Sequence, residues 1–514
     1  MRPAHEMTNR APTAGRTAST RTVTTAALIA LVAIFTLRAW GITTWFWMLD
    51  DQIRDWAIAL HPLHELPLVG PPTHVAGYTI GPAFYWILWL IRVVIGPWFD
   101  NLPHAGGIGQ ALLQSLADGL LLAAVWRRTG SVWTALAVTT LVATAAYDLC
   151  LAPLVWNPVM GSTLAKMALA LVVLGWFRAS ALRVALTAAL AWSAVHAYTG
   201  AIYVAVSVFA ALVIDPLARP PRSSSRSLAG PAAAPRASQS ATETSNGPDS
   251  SRLERSTNAG VGGLDWTRAR RNLALVVLAV VLLQVPYVVH QLLTRFSDSA
   301  MGAVTDSVGR ILAGRAQPEL AKSWSGYSTA VEFIQVSPWH VPAVIWLLVA
   351  CGAIVAVRYR RDPALLCMTL LPQLMAIAGY ALLLAGLDNY YYLSLMPPAV
   401  LTVVLGATAL GPRRVSEGVA IALLVGAVII LPSRVRLAAT MHRMPEYGAL
   451  VRASRTMVQR GQPLRGIETE FALPPTSNSE FVYRILGGRF DDRSEWIGVI
   501  SAQGGVTYRH VGGP

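Results

Sequence analysis

The sequence predicts an all-α polytopic membrane protein that ends in a small soluble α/β domain. Three observations carry that prediction. Of the 514 residues, 54% are hydrophobic and only 13% charged, about half the charged share of a soluble domain, and mean hydropathy is +0.48. Apolar runs of about 20 residues, the length of one crossing, recur along the chain. Arginines gather between alternate runs, as expected where positive charge marks cytoplasmic loops.

The runs lie near 23–45, 107–126, 131–149, 159–177, 182–197, 200–215, 272–293, 341–357, 364–386, 395–411 and 417–432, about eleven spans. The fifth and sixth meet at "HAYTG", His196 to Gly200, where a turn is expected. No signal-peptide cleavage pattern precedes the first run, so it is expected to stay as a helix. Arg2, Arg10, Arg16 and Arg21 precede the first run, and Arg127 and Arg128 follow the second. Arg178 and Arg183 follow the fourth; Arg219, Arg222, Arg226, Arg236, Arg268, Arg270 and Arg271 bracket the loop after the sixth. Arg358, Arg360 and Arg361 follow the eighth, and Arg413 and Arg414 the tenth. With eleven crossings all of these share the side of the N-terminal tail, residues 1–22. That side is cytoplasmic by the charge rule, which makes the host membrane the plasma membrane and places the C-terminus outside.

One apolar segment is held out of this count. "GPAFYWILWLIRVVIGPW", Gly81 to Trp98, would move every later arginine cluster to the wrong side if it crossed. It reads as an interfacial or re-entrant helix, with Trp86, Trp89 and Trp98 in the headgroup layer and Arg92 snorkelling. A membrane domain of residues 23–432 thus carries a first outer loop, 46–106, and a cytoplasmic loop, 217–267. The latter is rich in Ser, Ala, Pro, Gly and Arg and is expected to be disordered.

Residues 433–514 return to soluble composition. "AATMHRMPEYGALVRASRTMVQRG" predicts a helix stopped by Gly461. "EFVYRILGG" and "WIGVISAQGGVTYRHV" predict strands with a Gly-Gly turn.

Several function classes are excluded. The charge of +14 is almost all arginine, with lysine only at Lys166 and Lys322. No nucleic-acid signature accompanies it, so the charge is read as topology and nucleic acid is set aside. Cys150, Cys351 and Cys367 lack metal-ligand spacing and read as small core hydrophobes. His61, His64, Glu65 and His74 are residue types that bind divalent metals. Their spacing matches no recognised site, so no metal or other cofactor is assigned.

The chemistry-bearing stretch is "FWMLDDQIRDW", Phe46 to Trp56, directly after the first run. As a helix it puts Asp51 and Asp55 on one face, repelling by about 0.2–0.5 kcal/mol. Arg54 stands three from Asp51 and four from Asp50, placed to compensate. The plain reading is a solvated helix end; the sharper one is a catalytic loop at the outer face. Further along, Lys166 lies about two turns into the fourth run and Asp118 mid-way in the second. Charges in a bilayer need a polar cavity or each other, so Lys166 is either a functional cation or the partner of Asp118.

An acidic pair after the first span, followed by a Gly/Pro-flanked aromatic helix, resembles the GT-C membrane glycosyltransferases. The pattern is most similar to the branch of glycosyltransferase family 39 related to protein O-mannosyltransferases and aminoarabinose transferases. The family's Asp-Glu or Asp-Gln pair is matched by Asp51-Gln52, and its "HPPLYY"-like turn by "GYTIGPAFYW", Gly77 to Trp86. Ile80-Gly81-Pro82 stands where the family has His-Pro-Pro. The resemblance covers roughly residues 23–432.

It implies a GT-C fold that moves a sugar from a polyprenyl phosphate to an envelope glycan, lipid or protein at the outer face. One carboxylate takes the acceptor proton: Asp51 by the family register, Asp50 as second choice, with Arg54 and Asp55 supporting it. Lys166, His196 and Asp148 correspond to the region that holds the donor phosphate. Tyr78, Tyr85, Asn157, Asn389, Tyr390 and Tyr391 are candidates to line the sugar cavity. For His196 the alternative is an interfacial histidine bonded to backbone, and for the tyrosines an aromatic belt.

Two other functions stay open. A transporter or flippase for lipid-linked sugars tends to carry inverted repeats, and only the break at His196–Gly200 suggests one. An envelope assembly scaffold would leave Lys166 and Asp118 unexplained.

Overall fold

A computed structural model describes residues 19–42, 48, 50–73, 77–151, 154–218, 265–297, 300–335, 343–383, 389–441, 445–470 and 477–512. The N-terminal tail up to residue 18 and residues 219–264 of the expected disordered loop lie outside them.

The chain is overwhelmingly helical. In order come α1 (Thr20–Ala39), α2 (Asp50–Ala59), α3 (Ala83–Val94), α4 (Leu102–Thr129), α5 (Val132–Ala143), α6 (Ala146–Cys150), α7 (Asn157–Leu174), α8 (Ala181–Ala197) and α9 (Ile202–Ile214). Then follow α10 (Trp266–Leu293), α11 (Ala300–Leu312), α12 (Leu320–Gln335), α13 (Ala343–Arg358), α14 (Pro363–Thr369), α15 (Leu371–Leu383), α16 (Met396–Thr408) and α17 (Arg413–Met441). The C-terminal unit contains α18 (Pro445–Gln459), β1 (Gly466–Thr469), α19 (Ser477–Ile485), β2 (Trp496–Ile500) and β3 (Val506–His510).

Among the described residues, six helical segments are long and apolar enough to cross a membrane: α1, α4, α7, α10, Tyr390–Thr408 and α17. The pair α14 and α15, bent by 44°, makes a seventh if taken as one span. Four shorter apolar helices, α5, α8, α9 and α13, carry the remaining predicted runs. Among the described residues, each of the eleven apolar runs lies mainly on helix, in a polytopic membrane protein. Short polar caps cut the runs apart. Asn101, Ser131, Ser180, Asp265 and Asp362 each accept a backbone N–H of the helix they start.

The core packs around α4, α7, α8, α9 and α16, whose inward faces are small and apolar. By contrast α1, α10 and α17 turn Leu28, Val32, Leu282 and Ile429 outward. Such exposed apolar helix faces suit lipid. Ion pairs tie together loops that the arginine pattern puts on one side. Arg128 pairs with Asp362. Arg178 grips Asp215 at 2.9 and 2.7 Å and receives Arg268 on its carbonyl at 2.6 Å.

Helix α3 has 12 residues, about 18 Å at 1.5 Å per residue, against a hydrocarbon core of about 30 Å. The 12-residue α5 is no longer than this, and Trp86 and Trp98 are exposed on α3 and just beyond it. Arg92 reaches the end of α2. Its guanidinium donates to the carbonyls of Ala59 (2.8 Å) and His61 (3.1 Å), closing the C-terminal end of α2.

Two corrections concern the C-terminal region. "EFVYRILGG" is not a strand but the body of α19. Ser479, Val482 and Tyr483 are buried and Leu486 partly so, a spacing of three, four and seven that wraps one helix face. The predicted helix up to Gly461 is divided: α17 continues to Met441, residues 442–444 lie outside the described set, and α18 follows. The predicted hairpin is present as β2 and β3, antiparallel with Gly498 opposite Tyr508. An additional strand, β1, pairs parallel to β2.

This unit sits on the segment between α1 and α4. Tyr447 of α18 donates to Asn101 Oδ1 at 3.1 Å, Arg455 pairs with Asp100, and α19 packs against α2.

Candidate catalytic helix and buried ion cluster

Helix α2 holds its acids in two different environments. Arg54 donates to Asp51 Oδ1 at 2.8 Å, and through Nη2 and Nε to Asp55 Oδ1 at 2.8 and 2.9 Å. The Asp51 side chain is 49% exposed and the Asp55 side chain 1%. The repulsion expected between these two acids is thus met by the arginine between them. Tyr85 of α3 donates to the same Asp55 oxygen at 3.1 Å. Burial raises the Asp55 carboxyl from its ordinary 3.8 to about 6, with Arg54 and the Tyr85 bond opposing. Burial also pushes the Tyr85 hydroxyl up, so it stays a donor. Asp51 is the accessible carboxylate, and Asp55 with Tyr85 anchors the arginine that orients it. The Asp50 side chain lies outside the described residues.

The helix is fixed from behind. Trp56 is fully buried and lies over α4 at Gly106. The loop after α2 doubles back through Gly70 N–H to Thr79 C=O (3.1 Å) and Thr79 N–H to Pro71 C=O (2.9 Å). Its return strand reaches Gly81, whose Cα faces the His196 ring with no room for a Cβ. Gln284 of α10 completes this contact. Its amide donates to the Ile80 carbonyl at 3.0 Å; its oxygen accepts from Trp192 at 3.0 Å and lies 3.3 Å from His196 Nε2. His196 is buried and supports the turn from Gly77 to Trp86. Tyr78 stays exposed, edge-on to His290 at 6.1 Å. Tyr85 faces Asp55 rather than an open cavity.

The second constellation is a buried quartet of ions. Asp118 of α4 lies 2.7 Å from Lys166 Nζ of α7 and 2.6 Å from Arg38 Nη1 of α1. Asp148 of α6 pairs with Arg38 and stands 3.8 Å from Lys166. The predicted Lys166–Asp118 partnership is present, within a neutral set of two cations and two anions. Arg38 was not singled out in the sequence, although a lone arginine in the first apolar run is a readable signal. A small cavity with room for about one water molecule lies against Lys166 and Asp148, lined also by Gln114, Ser162, Thr163 and Leu393.

Aromatic side chains border this region. Tyr390 meets Trp156 at 4.9 Å and stacks on Tyr391 at 4.6 Å. Tyr391 is followed by Tyr380 at 6.1 Å, and Tyr380 donates to the Tyr391 carbonyl at 2.9 Å. Asn157 starts α7, half-buried beside Trp156. The Asn389 side chain and His74 lie outside the described residues. The His61 and His64 rings lie 3.1 and 3.6 Å from Glu65. Among the described residues no three His, Cys, Asp or Glu side chains converge as metal ligands. The three cysteines are buried, none of them in a disulfide.

No family model matches the chain and no curated protein matches it. Among solved structures, the chain is similar to ArnT from Cupriavidus metallidurans, crystallised bound to undecaprenyl phosphate. The identity is 14%, the match covers 90% of this chain and 84% of that one, and the TM-score is 0.41, a superposition too loose to carry fold or function by itself.

Proposed function

We propose that this protein is a membrane glycosyltransferase of the GT-C type. It transfers a sugar from a polyprenyl phosphate to an envelope glycan, lipid or protein at the outer face of the plasma membrane. The single observation behind the reading is the setting of Asp51, a half-exposed carboxylate held by an arginine that is itself anchored to buried Asp55 and Tyr85. The first-loop motif that resembles family 39 supports it.

In this reading Asp51 takes the proton of the acceptor hydroxyl. The acceptor oxygen bonds to the anomeric carbon, and the bond from that carbon to the phosphate oxygen breaks. Its electron pair stays on the lipid phosphate, and the anomeric configuration inverts. Arg54 holds the Asp51 carboxylate in its orientation. Lys166, 3.8 Å from Asp148, belongs to the region where the leaving phosphate is neutralised, while His196 serves by supporting the turn at Gly81. Tyr390, Tyr391 and Trp156 supply flat apolar surface for a sugar ring. Asp50 is the second candidate for the base.

Membranes containing the protein, given a radiolabelled polyprenyl-phosphate sugar, test the proposal. Asp51→Asn is expected to reduce transfer by about 10²–10⁴-fold while the protein stays folded. Unchanged transfer by a folded Asp51→Asn variant would remove Asp51 as the base. Labelled lipid crossing the bilayer with its sugar linkage intact would instead favour a transporter.

A further inference from the structure

Two cations in the buried quartet are not equally committed to their two anions. Asp118 is bonded to both, at 2.6 Å from Arg38 and 2.7 Å from Lys166, from the middle of a long packed helix. Asp148 pairs with Arg38 but stands 3.8 Å from Lys166. Its carrier, α6, is a single short helix of five residues. Its side chain is the most exposed of the four and lines the cavity.

The rest of that cavity is furnished for an anion. Gln114 is buried there and brings a side-chain amide to the cavity wall. Ser162 adds a hydroxyl, while Leu151, Leu393 and Met396 supply apolar wall. With Asp148 in place there is room for about one water molecule and none for a phosphate. With Asp148 withdrawn, two cations face one anion. A buried uncompensated charge costs several kcal/mol. Departure of Asp148 is therefore coupled to arrival of another anion.

We propose that Arg38 and Lys166, with Gln114 and Ser162, form the receptor for the phosphate of the lipid carrier, and that Asp148 is a resident counter-ion which this phosphate displaces. This rests on the polyprenyl-phosphate reading above. It assigns Arg38 a binding role and makes Asp148 a competitor of the donor rather than its ligand. Movement of α6 accompanies loading, so the site is closed and neutral when no carrier is bound.

The test is binding of a polyprenyl monophosphate to the purified full chain in nanodiscs, with thermal stability measured on the same samples. Asp148→Asn is expected to tighten binding by about tenfold or more, since a competing charge is gone. The same variant is expected to be less stable without ligand and to gain more from ligand than the wild type. Arg38→Gln is expected to weaken binding. The double variant Arg38→Gln/Asp148→Asn, which keeps the quartet neutral, checks folding and is expected to lose the gain. Weaker or unchanged binding by Asp148→Asn overturns the inference, because a purely structural acid would lower stability and binding together. Inorganic phosphate competing as well as the lipid would overturn the lipid assignment. Sugar transfer by a wild type whose Asp148→Asn affinity is unaltered would sink this inference alone. Carrier binding with the Asp148→Asn response but no transfer would sink only the glycosyltransferase reading.

Discussion

Tyr85 donates its hydroxyl to Asp55 at 3.1 Å, joining α3 to the acidic helix α2 beneath Arg54. The bond makes the accessible acid, Asp51, the end of a chain of contacts that starts in buried aromatic core.

Asp55 gives that chain a pH signature. Burial holds its carboxyl at about 6 against an ordinary 3.8, so the native chain keeps the proton to higher pH than the unfolded one. The contribution to stability is greatest below 3.8, falls as pH rises to about 6, and is flat above. The loss is on the order of 3 kcal/mol at most. Asp55→Asn is expected to flatten this slope. Tyr85→Phe removes a bond that favours the carboxylate and is expected to move the midpoint upward. Thermal unfolding in detergent between about pH 4 and pH 8 reads both. A slope that survives in Asp55→Asn would assign it to another group.

Gly81 and His196 define the second prediction. A methyl group at residue 81 has no space against the imidazole. Gly81→Ala is expected to cost about 1–3 kcal/mol and to displace the turn that leads into α3. Pairing it with His196→Ala opens the space and is expected to recover part of the stability. Melting temperatures of the single and double variants decide it. Additive losses would mean that the two residues are not in contact.

The third concerns Arg92, whose donors close the end of α2. Arg92→Met is expected to cost about 1.5–3 kcal/mol, as for hydrogen bonds from a charged group. Arg92→Lys is expected to restore some of it, since an ammonium donates but cannot fork. Sugar transfer is expected to follow stability in the same order. A neutral Arg92→Met would mean that these bonds add nothing to stability.

Much of this arrangement is legible in the chain itself. The helical character of the eleven runs follows from length and hydropathy, and the pattern around Asp51 yields a helix with Arg54 between two acids. Lys166 and Asp118 also point to each other, because a bilayer penalises either alone. "EFVYRILGG" was misread because a short apolar run fits a strand or a helix equally well until its packing face is known. Snorkelling and capping use the same long side chain, and it is the position of α2 that gives Arg92 carbonyls to cap.

What the sequence by itself determined is therefore local and periodic: which segments are apolar enough to enter a membrane, where they break, and where charge is costly enough to need a partner. The tertiary structure decided which partner. It left Asp51 half-exposed while burying Asp55 four residues later, and it seated Gly81 on His196. It also brought Arg38, Asp118, Asp148 and Lys166 from four separate helices into one neutral cluster. Hydropathy is a property of a segment, whereas pairing and exposure depend on which helices meet.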